Sequence, residues 1–290
     1  MVIELSLLKN DVKEKLSIVI LCAGEGTRLK EITKTIPKPL IKIKSLNDIS
    51  ILHHTINNLI NFEIKQIAII IGYLGNTIHE FISKLKKKHH ILQDKMIIID
   101  TENQYKLGSL YSFLSITKNK TFFMRSNYYL VIPGDTIFDY SILKEIISII
   151  YKNYVLIHNY PLVFYRTIKL KPLKELYNST RLISTAEVEK LASVSILKRI
   201  SQVRIKSFPL KKCINQIIPV SVFNYDFIHE ILNLKGEIPY KTVWESLNYM
   251  INNGKKVYAF EIENKHQFYD IDNKNDLKRL EKKKDNRCSD

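Results

Sequence analysis

The sequence predicts an α/β protein in which helices cover a mixed, mostly parallel β-sheet. Short runs rich in Val and Ile alternate with amphipathic segments through the first 160 residues, and repeated strand–helix units with apolar strands are typical of a parallel sheet. The chain has 290 residues, of which 45% are hydrophobic and 26% are charged, so it can bury one sizeable core. We therefore expect a single domain over residues 1–290, with an irregular insertion around residues 161–215.

The N-terminal half supplies the clearest pattern. Strands are predicted for the short apolar runs at 17–22, 66–72, 96–100, 128–135 and 154–160. Helices are predicted where apolar residues recur at helical spacing, at 49–62, 76–88, 109–116 and 141–151. Asn76 is the expected N-cap of the second of these helices.

The C-terminal half is less regular. Residues 161–215 contain charged stretches without a clean period, so no elements are assigned there. Strands are predicted at 216–224 and 256–262, and helices at 225–234, 240–254 and 275–284. Gly236 is expected to end the first of these helices, and Gly254 is the expected C′ residue of the second.

Composition excludes several classes of protein. No apolar run approaches the roughly 20 residues that span a bilayer, and the first residues lack the pattern of a signal peptide. Cys22, Cys213 and Cys288 are scattered and odd in number, which favours neither a disulfide framework nor a zinc site. A cytoplasmic location without membrane association is the expectation.

The formal net charge of +16 has two interpretations. It suits a phosphate-rich partner, but it also follows from an abundance of lysine throughout the chain. The dense basic runs, at 84–90 and 278–285, fall at predicted helix ends, where lysines complement the helix dipole. Because the sequence shows no nucleic-acid recognition motif, we expect no nucleic-acid partner.

The segment LCAGEGTRLKEITKTIPKPL, residues 21–40, has the features of a phosphate-binding loop. It does not match the dinucleotide fingerprint, since Leu29 stands where the third glycine is needed, and it is not a P-loop. Gly24 and Gly26 nevertheless let backbone N–H groups approach an anion. Arg28 offers a planar fork for phosphate oxygens, and Lys38, fixed between two prolines, offers a point charge. The segment indicates a site for a nucleoside triphosphate.

Two acidic segments, at 131–135 and 270–272, contain candidates for metal binding. Asp135 follows an apolar strand in VIPGD, and so should lie at the carboxyl edge of the sheet, where it could hold Mg²⁺ against triphosphate oxygens. Asp270 and Asp272 share one face of an extended segment, which is unfavourable unless a cation lies between them. The alternative for each position is that the carboxylate caps or turns the chain.

These motifs resemble the signature of the nucleotidyltransferases that make nucleotide-activated sugars, L-x-x-G-x-G-T-R-L followed by P-K-P-L. The matching residues are Leu21, Gly24, Gly26, Thr27, Arg28, Leu29 and Pro37 to Leu40, with Ala23 beside the first glycine. The resemblance implies a Rossmann-like three-layer sandwich of the nucleotide-diphospho-sugar transferase type. It covers roughly residues 17–140 and 216–284.

The resemblance also implies roles for individual residues. Arg28 and Lys38 would be catalytic, and Asp135 and Asp272 would bind Mg²⁺. The nucleotide would be bound by Leu21, Ala23, Gly24, Gly26 and Thr27, with Gly108 and Ser109 in the loop that recognises the base. Lys106 stands where many members have glutamine, and the Glu-Lys-Pro segment that touches the acceptor phosphate has no clear counterpart.

The implied activity is transfer of a nucleoside monophosphate from a nucleoside triphosphate to a sugar 1-phosphate or a similar small phosphorylated alcohol, with release of pyrophosphate. The Asp-Ile-Asp segment at 270–272 resembles members that act on phosphocholine or inositol phosphate, so a cytidylyltransferase of that kind is an alternative. A catalytically inactive regulatory subunit that binds a nucleotide-sugar is another. A homo-oligomer is possible.

Overall fold

A computed structural model describes residues 12–169, 181–191, 194–207, 213–234 and 241–285. Its thirteen strands are β1 Leu16–Leu21, β2 Lys42–Ile43, β3 Ile49–Ser50, β4 Gln66–Ile71, β5 Met96–Asp100, β6 Tyr128–Pro133, β7 Thr136–Phe138, β8 Leu162–Lys169, β9 Leu182–Lys190, β10 Ser195–Arg204, β11 Cys213–Asn224, β12 Tyr258–Glu261 and β13 Phe268–Asp270. Its helices include α1 Lys30–Thr33, α2 Ile51–Leu59, α3 Gly75–Lys88, α4 Ile91–Lys95, α5 Ser109–Leu114, α6 Tyr140–Lys152, α7 Tyr154–Asn159, α8 Tyr225–Asn233, α9 Val243–Asn252 and α10 Lys274–Asp285.

Nine strands form the central mixed sheet, in the order β5-β4-β1-β6-β11-β8-β12-β10-β9. The strands β5, β4, β1 and β6 are parallel, as the alternating pattern predicts. From β11 onward most neighbours are antiparallel, with β8 and β12 as a parallel pair. The expected mixed α/β sheet is therefore present, and its parallel part lies mainly in the N-terminal half.

Apolar side chains on the two faces of the sheet pack against different helices. Ile18 and Ile20 of β1 lie in one buried cluster, together with residues of α2, α3 and α6. Val19, which points to the opposite face, lies in a second cluster with residues of α5, α8 and α9. This alternation follows from the two-residue period of a strand.

Two predicted elements need correction. The predicted strand at 154–160 is instead helix α7, Tyr154–Asn159. A short apolar run has no period long enough to distinguish a strand from a helix. Helix α3 begins at Gly75, after Leu74 in the left-handed region (φ 50°), so Asn76 lies inside the helix and is not its N-cap. Gly236 and Cys288 lie outside the described residues.

The stretch 161–215 is more regular than its sequence pattern suggested. Its described part contains β8, β9, β10 and the start of β11, all of which belong to the central sheet. These strands are long, and β9 and β10 expose many of their side chains. The irregular insertion expected there is thus largely strand, and it extends the sheet beside the candidate site.

No helix among the described residues is long and apolar enough to cross a membrane.

Candidate active site at the end of the first and sixth strands

The glycine loop leaves β1 after Leu21 and turns sharply at Gly26. Gly26 has φ +62°, and its carbonyl accepts hydrogen bonds from Leu29 N at 2.8 Å and Thr33 Oγ1 at 3.1 Å. Gly24 has open space around its Cα, and Thr27 is exposed. The loop is therefore fixed at one glycine and accessible at the other, as an anion-binding backbone segment requires.

Lys38 lies in a short turn after Pro37, and its side chain is only 10% exposed. Its Nζ donates a hydrogen bond of 2.6 Å to Asp135 Oδ2 and lies 3.8 Å from Asp272 Oδ1. Arg28 NH1 lies 3.2 Å from the same Asp272 oxygen. The structure thus brings together the two cations and two carboxylates that the sequence singled out.

The two carboxylates meet through a small antiparallel ribbon. Asp135 follows β6 and Gly134, and the chain then enters β7, which pairs with β13 in a register that sets Thr136 opposite Asp270. Ile271 N donates to the Asp135 carbonyl at 3.3 Å. This pairing places Asp272, two residues beyond β13, next to Asp135.

Arg181 and Asp276 support this end of the site. Arg181 NH1 lies 2.6 Å from Asp276 Oδ1, NH2 donates to the Asp270 carbonyl at 3.2 Å, and NH2 lies 3.9 Å from Asp272 Oδ2. Asp276, 6% exposed, accepts through its other oxygen from the backbone N–H groups of Asp272 and Asn273, at 2.9 and 3.0 Å. Arg181 and Asp276 therefore hold the backbone that carries Asp272.

The carboxyl group of Asp270 has a raised pKa. Burial, together with the nearby Asp135 and Asp272, raises its pKa to about 6, and a hydrogen bond of 2.6 Å from Thr136 Oγ1 partly opposes that rise. Its carboxyl oxygen is thus engaged by Thr136. Burial and the nearby Asp135 also raise the pKa of the Cys22 thiol, so this residue is unsuited to act as a nucleophile.

The donor set at Asp135 and Asp272 fits a magnesium ion that shares its coordination with phosphates. Both side chains are partly exposed, at 40% and 35%, and a cationic nitrogen, Lys38 Nζ, already lies beside both. Mg²⁺ is commonly held by one or two carboxylates together with substrate phosphates and water. Within the described residues no group of three or more His, Cys, Asp or Glu side chains could hold a metal.

A cavity of about 270 Å³ opens beside these residues. Its lining combines the charged cluster with side chains from β9, β10, β11, α9 and β13: Arg28, Asp135, Arg181, Ile183, Ser184, Gln202, Gln216, Ile217, Pro219, Trp244, Phe268, Asp270 and Asp272. Its volume lies just below the ~300–1,000 Å³ usual for small-molecule sites.

The other predicted nucleotide-binding residues lie at the sheet edge but outside that cavity lining. Ala23 is buried. A Cβ added at Gly72 would lie 3.0 Å from the Ala23 Cβ and 2.7 Å from the Tyr105 ring. Gly108 has φ +127°, and an added Cβ would lie 2.2 Å from the Lys241 carbonyl oxygen. Ser109 is the exposed first residue of α5, so Gly108, and not Ser109, takes the N-cap position.

Comparisons with known proteins identify a family for the N-terminal half of the chain. Residues 17–157 match the family model of the nucleotidyl transferases. The chain is 36% identical over 141 residues to the bifunctional protein GlmU of Methanococcus maripaludis, a match that covers 49% of this chain and 29% of that protein. It is 32% identical over 127 residues to the D-glycero-alpha-D-manno-heptose 1-phosphate guanylyltransferase of Campylobacter jejuni, covering 43% of this chain and 50% of that one. The chain thus spans half or less of the length of these relatives.

Solved structures show the same fold over nearly the whole chain. A UDP-glucose pyrophosphorylase complexed with UDP-glucose superposes with a TM-score of 0.69 at 16% identity, covering 94% of this chain and 99% of that one. The inositol-1-phosphate CTP transferase from T. maritima gives 0.62 at 17% identity, covering 93% and 96%. At such identities the likeness concerns the fold alone.

Proposed function

Since residues 17–157 belong to the nucleotidyl transferase family, we propose that the chain transfers a nucleoside monophosphate from a nucleoside triphosphate to a sugar 1-phosphate or a similar small phosphorylated alcohol, releasing pyrophosphate. The observation that carries the proposal is the cluster in which Lys38 Nζ lies 2.6 Å from Asp135 and 3.8 Å from Asp272, with Arg28 3.2 Å from Asp272. Arg28 directly follows the glycine loop in the chain, and Arg28, Asp135 and Asp272 also line the 270 Å³ cavity, so the loop and the cavity can each bind one substrate next to the cluster.

In this proposal Arg28 and Lys38 act on the triphosphate. An acceptor phosphate oxygen attacks the α-phosphorus, and the bond to the pyrophosphate oxygen breaks. Arg28, exposed on the rim, binds phosphate oxygens through its fork, and Lys38 places a compact positive charge where negative charge grows on the α-phosphoryl group. The cluster needs no covalent intermediate, because positioning and charge neutralisation serve such a transfer.

Asp135 and Asp272 are proposed to hold Mg²⁺, which when bound would neutralise and orient phosphate oxygens. The two carboxylates come from separate segments, and their partial exposure makes both accessible to an ion. Arg181 and Asp276 keep Asp272 in place through the contacts described above. A mispositioned Asp272 would separate the two ligands.

The nucleotide is proposed to lie over Leu21, Ala23, Gly24, Gly26 and Thr27. The open space at Gly24 lets phosphate oxygens reach backbone N–H groups. Gly108 and Ser109 would contact the base from the start of α5. We further propose that the helices on both sheet faces form the three-layer sandwich of this family, and that the protein acts in the cytoplasm.

The test is a matrix of the four nucleoside triphosphates against sugar 1-phosphates and phosphorylated alcohols, with Mg²⁺ present and pyrophosphate release as the readout. We expect turnover for at least one pair, and the matrix also identifies the base. Bound nucleotide without turnover of any pair would contradict the proposal and favour an inactive, nucleotide-binding protein.

A further inference from the structure

The cavity beside Asp135 and Asp272 is lined by the side-chain amide of Gln216, whose orientation is fixed. Gln216, on β11, is 8% exposed and lines the cavity. Arg166 Nε, on the neighbouring strand β8, lies 3.0 Å from one end of the Gln216 amide. An arginine side chain can only donate hydrogen bonds, so the amide atom facing it must be the oxygen, Oε1.

Arg166 is itself held firmly. It is 6% exposed, its NH1 donates to the His266 carbonyl at 2.7 Å, and its guanidinium lies over the ring of Phe268, 4.6 Å from the centroid. With the guanidinium held in this way, Gln216 cannot exchange the two ends of its amide without placing an NH₂ group against an N–H donor. The Gln216 orientation is therefore set by β8 and β13.

The other end of the amide, Nε2, is a hydrogen-bond donor with no acceptor among the described residues. It is not one of the fully buried polar atoms that lack a partner, so on this mostly buried residue Nε2 can be reached from the cavity. Water or a ligand atom can therefore accept a hydrogen bond from it, and a ligand that makes this bond gains affinity over one that does not. The cavity thus offers a preoriented donor to whatever binds there.

We infer that the acceptor is a phosphorylated polyol, a sugar or cyclitol phosphate whose ring carries hydroxyl groups and no charge, and that Gln216 Nε2 selects it by donating a hydrogen bond to one of its hydroxyl oxygens. This inference rests on the proposed function. Ser184 and Gln202, which are register partners on β9 and β10, add polar groups along the same cavity. Pro219 and Trp244 give it apolar walls, an arrangement suited to the alternating polar and apolar faces of a sugar ring.

The same lining is a poor match for an acceptor that carries a methylated ammonium group. Such a group has no hydrogen-bond acceptor for Gln216, and quaternary ammonium ions are usually bound by several aromatic rings. The aromatic side chains of the described lining are Trp244 and Phe268, and the guanidinium of Arg166 already covers Phe268. Asp135 and Asp272 offer negative charge, but the proposed metal would neutralise it. These features favour the polyol over phosphocholine.

The test compares acceptors in wild type and in two variants of Gln216. Glucose 1-phosphate, inositol 1-phosphate, phosphocholine and phosphoethanolamine are each assayed at saturating nucleoside triphosphate, and kcat/KM is measured. Gln216→Met removes the amide at similar size. Gln216→Glu keeps an oxygen for Arg166 but replaces the free donor with an acceptor. Gln93→Met, at an exposed position on α4, is the matched control.

We expect wild type to prefer a polyol phosphate, and both Gln216 variants to lower kcat/KM for it by about tenfold or more, with the KM for nucleotide unchanged. Gln216→Glu should also lower the ratio of polyol to phosphocholine turnover. A loss of folding alone would not change that ratio. Wild-type preference for phosphocholine, or Gln216 variants that behave as Gln93→Met does, would overturn the inference while leaving the proposed function intact.

A binding experiment separates the two proposals if turnover is absent. Absence of turnover with every acceptor would contradict the proposed function. Calorimetric titration of each acceptor into the Mg²⁺-loaded protein, with α,β-methylene nucleoside triphosphates present, then decides the inference by itself. Binding of a polyol phosphate that is weakened in Gln216→Met supports it, and the absence of polyol binding to wild type overturns it.

Discussion

Lys38 Nζ and Asp135 Oδ2 lie 2.6 Å apart although the two residues are 97 positions apart in the chain. The contact joins the turn that follows the glycine loop to the end of β6. Because the Lys38 side chain is only 10% exposed, its charge is partly removed from water, and a partly buried charge depends strongly on its partners. The lysine is therefore held beside both carboxylates, where we propose that the phosphates of a nucleotide bind.

Replacing Lys38 should mainly affect the reaction. We expect Lys38→Ala to lower kcat/KM by about 100-fold or more, because the interaction strengthens as charge develops in the transition state. Lys38→Arg should not restore full activity, since a planar fork replaces a compact ammonium group. Pyrophosphate release is the readout, with exposed Lys42→Ala as the control and circular dichroism to establish folding. Wild-type turnover by Lys38→Ala with every nucleotide would remove this residue from the mechanism.

The two glycines of the loop should respond differently to alanine. Gly26 has φ +62°, and an added Cβ would lie 2.9 Å from Thr33 Cγ2, so Gly26→Ala should lower the free energy of unfolding by about 1–3 kcal/mol. Gly24 has nothing within 4 Å of an added Cβ. Gly24→Ala should change stability by only about 0.5 kcal/mol or less, yet weaken nucleotide binding, because the methyl group separates the backbone from the phosphates. Equal loss of stability in the two variants, measured by urea unfolding, would contradict this assignment.

Helix α9 places Trp244 at the cavity. The capping box of Thr242 and Glu245 at the start of this helix should make the free energy of unfolding depend on pH. Burial alone raises the pKa of Glu245, but hydrogen bonds from the backbone N–H groups of Lys241 and Thr242 and from the Thr242 hydroxyl outweigh it, so the pKa is lowered overall. A lowered pKa contributes stability above the unfolded-state pKa, and that contribution is lost as pH falls through the folded-state pKa.

Wild type should therefore lose stability as the pH falls from neutral to below the ordinary glutamate pKa of 4.5, and Glu245→Gln should lose less. Thr242→Ala, which removes the other half of the capping box, should cost about 1 kcal/mol at neutral pH. Urea unfolding of wild type and Glu245→Gln, at neutral pH and at a pH below the glutamate pKa, checks this prediction. Glu80→Gln, at an exposed position, is the control. Parallel pH profiles for wild type and Glu245→Gln would show that the capping box does not contribute in this way.

Arg181 is expected to act through Asp272 and not on substrate. Arg181→Met removes the contacts to Asp276 and to the Asp270 carbonyl, so Asp272 loses its support. We expect the Mg²⁺ concentration needed for half-maximal activity to rise by about 10- to 100-fold, as is usual when residues that orient metal ligands are lost. Arg125→Met, which breaks a surface pair with Asp226, is the control. An unchanged Mg²⁺ dependence in Arg181→Met would show that Asp272 does not need this support.

The sequence predicted the parallel N-terminal strands and the residues of the charged cluster, because both depend on local patterns. It placed Asp135 at the carboxyl edge of the sheet and Asp272 on an extended segment, but it did not predict the antiparallel β7–β13 ribbon through which the two residues meet. Such a pairing involves residues more than 130 positions apart, and no local pattern encodes its register.

Arg181 and Gln216 could not be singled out from the sequence. Both lie in or beside the stretch where β9 and β10 expose many side chains, so the apolar period that identifies buried strands is weak. Gln216 also gains its role from Arg166, 50 positions away. The proposed acceptor side of the site therefore depends on strand pairing, whereas most of the proposed nucleotide side lies in the contiguous residues 21–40.

The metal pair gives the most specific prediction. Asp135 and Asp272 both lie within 3.8 Å of Lys38 Nζ, and we propose that one ion contacts both carboxylates. Asp135→Asn and Asp272→Asn should each abolish turnover, and the double variant should be little worse than either single one, since both ligands serve the same ion. Activity should require a divalent metal and vanish with chelator. Multiplicative losses in the double variant would indicate separate roles for the two residues, and full activity in excess chelator would exclude a metal from the reaction, because the carboxylates, Arg28 and Lys38 would then suffice.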